Sequence, residues 1–141
     1  MIVGIVSGYF NPLHYGHIEY INGAKEHSDK LVCIVNNDHQ VTLKGSRSFM
    51  DAEHRAKILG NLKSVDDVFI SVDIDATVCR SILHIRNSHP DDYIIFFNSG
   101  DRNWKNFVPS ESDTCKQAGI EIKILELPKI YSSSTLLKNI L

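Results

Sequence analysis

The sequence predicts an α/β fold, a parallel sheet of about five strands with helices on both faces. Short runs rich in Val and Ile alternate with longer segments whose apolar residues recur at helical spacing. Such alternation gives a buried parallel sheet covered by its crossover helices. A loop rich in Gly, Asn and Pro, Gly8 to His17, joins the first apolar run to the first helical segment. A loop of that kind at a strand end is where such sheets place their ligands.

Ile2 to Val6 is the expected first strand. The first helix follows from about Tyr15, with Ile18, Ile21 and Ala24 on one face. Leu31 to Val35 is the second strand and ends in a turn cluster, Asn36-Asn37-Asp38. Asp51 suits the N-cap of the second helix, whose apolar face is Ala56, Ile58, Leu59 and Leu62. Val68 to Val72 is the third strand, and Asp75 to Arg86 the third helix, with Val78, Ile82, Leu83 and Ile85 inward. After the break at Pro90-Asp91-Asp92 comes the fourth strand, Tyr93 to Phe97. Ser110 to Ala118 is a short helix closed by Gly119. Ile120 to Leu127 is the fifth strand, and Ser132 to Leu141 a last helix opened by a run of hydroxyl residues. The whole reads as a doubly wound, Rossmann-like sheet, with its ligand in the crevice where strand order reverses.

The composition fits one domain over residues 1–141 with a sizeable core. Hydrophobic residues at 43% and charged residues at 23% are those of a soluble globule. A net charge of −2 argues against nucleic-acid and membrane-surface partners. No apolar run approaches the ~20 residues of a membrane span, and no signal peptide opens the chain. Cys33, Cys79 and Cys115 are scattered, which points to a reducing, cytoplasmic setting. Cys33 and Cys79 read as core residues.

The loop carries the chemistry. Its backbone N–H groups at a helix start favour an anion. His14 and His17, three residues apart, can touch one phosphate chain, and Gly16 between them lets that chain come close. Two plain alternatives stand beside this: polar residues at a helix start, and a zinc site, which needs further ligands that the cysteine spacing does not offer. No GxGxxG follows the strand, and no GKS or GKT closes a P-loop. No nucleophile motif is present either.

Phe10-Asn11-Pro12-Leu13-His14-Tyr15-Gly16-His17 resembles the HxGH signature of the nucleotidyltransferase superfamily. Further elements follow in order: Lys44-Gly45 with Arg47, Glu53-His54-Arg55, Ser99-Gly100-Asp101-Arg102-Asn103-Trp104, and Ser132-Ser133-Ser134-Thr135. The chain is similar to glycerol-3-phosphate cytidylyltransferases and to the nucleotidyltransferase half of ADP-heptose synthases. That resemblance implies transfer of an NMP group, CMP by preference, from a nucleoside triphosphate to a small phosphorylated polyol or sugar, with release of pyrophosphate. An ATP-dependent adenylyltransferase acting on a sugar phosphate or mononucleotide is the alternative, and a non-catalytic nucleotide-binding module the third reading. Mg²⁺ would arrive with the triphosphate, CTP or ATP, with no metal held by the protein. A homodimer is expected.

The resemblance also assigns roles. His14, His17 and Lys44 would act on the triphosphate, with Tyr9, Phe10, Asn11, Gly16, Lys129, Ser132, Ser133 and Ser134 forming its site. Arg55, Asp101 and Trp104 would meet the acceptor, Arg55 through its phosphate. Arg80 and Arg86 read as solvent-facing cations. Tyr9 stands where the resembled proteins usually carry Ser or Thr. Asn11-Pro12 is more like the nicotinate-mononucleotide adenylyltransferases.

Overall fold

The computed structural model describes residues 1–99 and 109–126. In chain order its elements are β1 (Ile2–Gly8), α1 (Tyr15–Glu26), β2 (Lys30–Val35), α2 (Asp38–Leu43) and α3 (Ala52–Gly60). β3 (Asp67–Ile70), α4 (Cys79–Ser88), β4 (Tyr93–Ser99), α5 (Pro109–Gln117) and β5 (Glu121–Leu125) follow. The five strands form one sheet in the order β3-β2-β1-β4-β5, every pair parallel. The expected α/β doubly wound sheet is therefore present.

Alternation along each strand divides the core. Val6, Leu31, Cys33 and Phe97 face α1 and α3, against Tyr20, Ile21, Ala24 and Leu59. Val3, Ile5, Val32, Ile34, Ile94 and Phe96 face the other way, against Ile82 and Ile85 of α4 and Cys115 of α5. Burial on both faces is why the strands read as near-continuous apolar runs.

Where the elements differ from expectation, a polar side chain is the reason. The cluster Asn36-Asn37-Asp38 opens α2 instead of ending in a simple turn. Asn37 accepts from the Gln40 amide at 2.9 Å, and the Gln40 side chain accepts from Asn37 N at 3.0 Å. This reciprocal cap satisfies two orphan donors of a short helix. β3 stops at Ile70, and the helix expected from Asp75 begins at Cys79. The intervening chain turns aside so that Asp73, 3% exposed, can accept from Arg80 N, Ser81 N and the Ser81 hydroxyl. That carboxylate caps α4, whose own N-cap residue is Val78.

Leu83 and Ile58, expected inward, are exposed. Arg86, expected in solvent, is half-buried and donates to the carbonyl of Asp92 at 2.7 Å and to that of His89, tying the end of α4 to the start of β4. Cys33 is buried as expected, and burial pushes its thiol up. Cys79 is half-buried. The helix expected over 132–141 lies outside the described residues.

Candidate functional site

The reversal of strand order falls between β1 and β4, and the sheet opens there. β1 and β4 are in register from Ile2↔Tyr93 only to Ile5↔Phe96. Beyond that point β1 stays with β2 to Gly8↔Val35, and β4 stays with β5 to Ser99↔Leu125. The two strand ends diverge into a wedge. In it lies a cavity of about 160 Å³ lined by Ser7, Gly8, His17, Tyr20, Asn98 and Ser99. Tyr20 donates its hydroxyl to the Phe97 carbonyl at 2.6 Å, which satisfies a backbone acceptor inside the opening.

The loop from β1 to α1 forms the rim of this wedge. Phe10 is 2% exposed and takes a left-handed backbone, φ 50°. A buried aromatic residue adopts that region only when its surroundings hold it there. Its ring meets His17 edge-on, with centroids 4.9 Å apart. Gly8 makes the room: a Cβ there would sit 3.0 Å from Phe10 Cζ. The Asn11–Pro12 peptide is cis. Asn11 donates to the Arg47 carbonyl at 2.8 Å and accepts from Phe49 N at 2.9 Å. It therefore fastens the segment after α2 to the first loop.

At the start of α1 the two histidines cap the helix for each other. His14 Nδ1 accepts from Gly16 N at 3.1 Å, and His17 Nδ1 accepts from His14 N at 3.1 Å. The rings stack with centroids 3.8 Å apart. An Nδ1 that accepts from a backbone N–H carries no proton, so each neutral ring bears its proton on Nε2. Burial lowers the pKa of His14. Burial, then His14, then Lys44 hold His17 down at about 3. Both imidazoles are therefore neutral Nε2–H donors at physiological pH. Sequence reasoning expected free backbone amides here. Instead the Gly16 amide goes to the His14 ring, and those of His17 and Ile18 to the His14 carbonyl. The cap moves the donating groups from the backbone to the imidazoles.

Arg55 departs furthest from expectation. Its side chain is fully enclosed. Nε donates to the Met50 carbonyl, Nη1 to the carbonyls of Tyr9 and Asn36, and Nη2 to Asp38 Oδ1 at 2.9 Å. With four of its donors occupied inside the protein, Arg55 joins the β1 loop, the end of β2 and the start of α3, and does not face an acceptor phosphate. Asp38 supplies the anionic partner that a cation in the first turns of a helix calls for. It also accepts from Ala52 N at 3.2 Å.

Lys44, at the C-cap of α2, is exposed, with Nζ 4.3 Å from the centroid of the Tyr9 ring. Arg47 is exposed as well. Thus the fold brings Tyr9, Phe10, Asn11, His14, Gly16, His17 and Lys44 to one end of the sheet. Asp101, Trp104, Lys129, Ser132, Ser133 and Ser134 lie outside the described residues. Sequence reasoning missed Asp38, Tyr20 and Asn98, a buried polar residue of the cavity wall. The spacing Asn37-x-x-Gln40 was a readable signal for a helix opening at Asp38. Among the described residues no group of three His, Cys, Asp or Glu side chains converges as a metal site. No described helix is long and apolar enough to cross a membrane.

The chain is similar to known proteins over most of its length. Residues 5–140 match the family described as cytidylyltransferase-like. The FAD synthase of Thermococcus sibiricus is 32% identical over 130 residues, which is 92% of this chain and 82% of that protein. The bifunctional protein HldE of Nitrobacter hamburgensis is 30% identical over 138 residues, 96% of this chain but 26% of the longer protein. Among solved structures, the lipopolysaccharide core biosynthesis protein from Thermoplasma volcanium superposes with a TM-score of 0.72 at 26% identity. It covers 93% of this chain and 99% of its own.

Proposed function

We propose, from the premise that this chain belongs to the cytidylyltransferase-like family, that it moves an adenylyl group from ATP to a small phosphorylated acceptor and releases pyrophosphate. Nucleotidyl transfer is the family's reaction, and the chain is a nucleotidyltransferase. The base and the acceptor are the finer part of the reading. Sequence resemblance alone favours CMP. The FAD synthases favour ATP, because the product in their name is an adenylylated flavin.

The observation that carries the reading is the pair of neutral imidazoles whose Nδ1 atoms cap α1. An oxygen of the acceptor phosphate forms a bond to the α-phosphorus, and the bond to the bridging oxygen of the β-phosphate breaks. The electron pair leaves with pyrophosphate. In this reading His14 and His17 donate their Nε2–H groups to oxygens at the α–β junction, where negative charge grows. Lys44 adds positive charge at the outer phosphates. The protein supplies alignment and electrostatics and no nucleophile of its own. Mg²⁺ would be bound by the triphosphate oxygens. Arg55 acts here as a positioning residue, holding the loop that presents the histidines. Asp101 and Trp104 remain assigned to the acceptor, with Lys129 and Ser132 to Ser134 on the nucleotide. A single domain, a homodimer and a cytoplasmic setting complete the proposal.

Pyrophosphate release tests it, with ATP, CTP, GTP and UTP each mixed with flavin mononucleotide, glycerol 3-phosphate and sugar phosphates. Release with ATP and one acceptor is expected. Release with CTP alone would replace the base and leave the reaction class. Calorimetric binding of ATP without release from any pairing would leave a nucleotide-binding module.

A further inference from the structure

The contact between Tyr9 and Lys44 joins a ring on a held backbone to a charge on a long, exposed stem. Arg55 holds the Tyr9 carbonyl at 2.7 Å, and the next residue, Phe10, is locked in the core. Lys44 ends α2 and is followed by Gly45 at φ 80°, in open space. Its stem is long and exposed, and such side chains lose much rotamer freedom when they are pinned. Nζ lies 4.3 Å from the Tyr9 centroid, within the ~6 Å reach of a cation–π contact. No ion pair among the described residues involves Lys44. This matters chemically: a carboxylate would neutralise the ammonium and compete with an anionic ligand, whereas an aromatic face leaves its charge and its outward N–H groups available. The position is also right, because the charge of Lys44 is felt at His17.

We infer that Tyr9 is a positioning residue for Lys44, its ring face holding the ammonium at the rim of the wedge, ready for the outer phosphates of a nucleoside triphosphate. The inference rests on the reading of the His14–His17 rim as a polyphosphate site. Tyr9 thereby sets affinity for the triphosphate through Lys44.

The test combines spectroscopy with binding, using the whole chain and the variants Tyr9→Leu, Tyr9→Phe, Lys44→Ala and Tyr9→Leu/Lys44→Ala. In ¹H–¹³C spectra the Lys44 ε-methylene protons should be shifted upfield by the ring, in the native chain and in Tyr9→Phe. They should move to the position of a free lysine in Tyr9→Leu. Calorimetry with ATP should show Tyr9→Leu weakened about two- to fivefold, with Tyr9→Phe restoring native affinity. Lys44→Ala should then cost less affinity in the Tyr9→Leu background than in the native one. If ATP binds but the Lys44 protons are unshifted in the native chain, or the two substitutions are fully additive, Tyr9 loses this role while the polyphosphate reading stands. If the native chain binds no ATP, the polyphosphate reading falls and takes the inference with it.

Discussion

At His17 the two ring nitrogens divide the work, and substitution can separate them. Nδ1 accepts the His14 amide as the third helical residue of a capping box, a place where Gln is a usual occupant. His17→Gln should therefore keep α1 capped and the protein folded while removing the Nε2–H donor. Turnover should fall by ~10²–10³, with melting temperature nearly unchanged. The same variant reads out the proton. His17 titrates at about 3 in the folded chain, against an ordinary 6.5 when unfolded. The unfolded chain thus binds a proton first as pH falls below 6.5, and stability drains away from there down to about 3. The slope is at most about 1.4 kcal/mol per pH unit, less where water screens the ring. Urea denaturation across that range should show a shallower slope in His17→Gln. That His14 and His17 meet at the start of α1 was legible, because residue type and spacing announce it. The burial of Arg55 was not, because its partners Tyr9, Asn36 and Asp38 come from other parts of the chain. Arg55→Lys replaces a fork of donors by a point charge and strands buried carbonyls. It should cost about 2–4 kcal/mol in urea denaturation, and reduced turnover should follow from the loosened loop.

Among the elements, the β1–α1 loop depends on a missing methyl group. At Gly8 an added Cβ would stand 3.0, 3.2 and 3.3 Å from three atoms of the Phe10 ring. The ring cannot retreat, since it is buried and its backbone already has φ 50°. Gly8→Ala should destabilise the protein by roughly 1–3 kcal/mol, as overpacking does. Because Phe10 lies edge-on to His17, turnover at low temperature should drop as well, measured where the variant is still fully folded. Sequence patterns found both strands and helices where apolar spacing was strong, as in α1 and β4. They failed at α2, which has six residues and too little apolar periodicity to stand out. They also failed at the start of α4, where a carboxylate seven residues upstream of Arg80 decides where the helix can begin. Polar side chains that reach across a turn set boundaries that hydrophobic period does not record.

For the molecule as a whole, alternation of strand and helix was enough to predict the sheet and its parallel sense, and to single out the strand ends where the candidate site lies. Strand order was not readable, because it depends on which crossover turns which way across the sheet. The order β3-β2-β1-β4-β5 places the reversal next to the histidine loop. There β1 and β4 are joined by four residue pairs and then part, while β1 runs on with β2 for six pairs and β4 with β5 for five. Above that junction the sheet divides into two leaves, β1 with β2 and β3 on one side and β4 with β5 on the other. A molecule seated between them would brace one leaf against the other, so occupancy of the wedge would be felt as stiffness in strands it never touches.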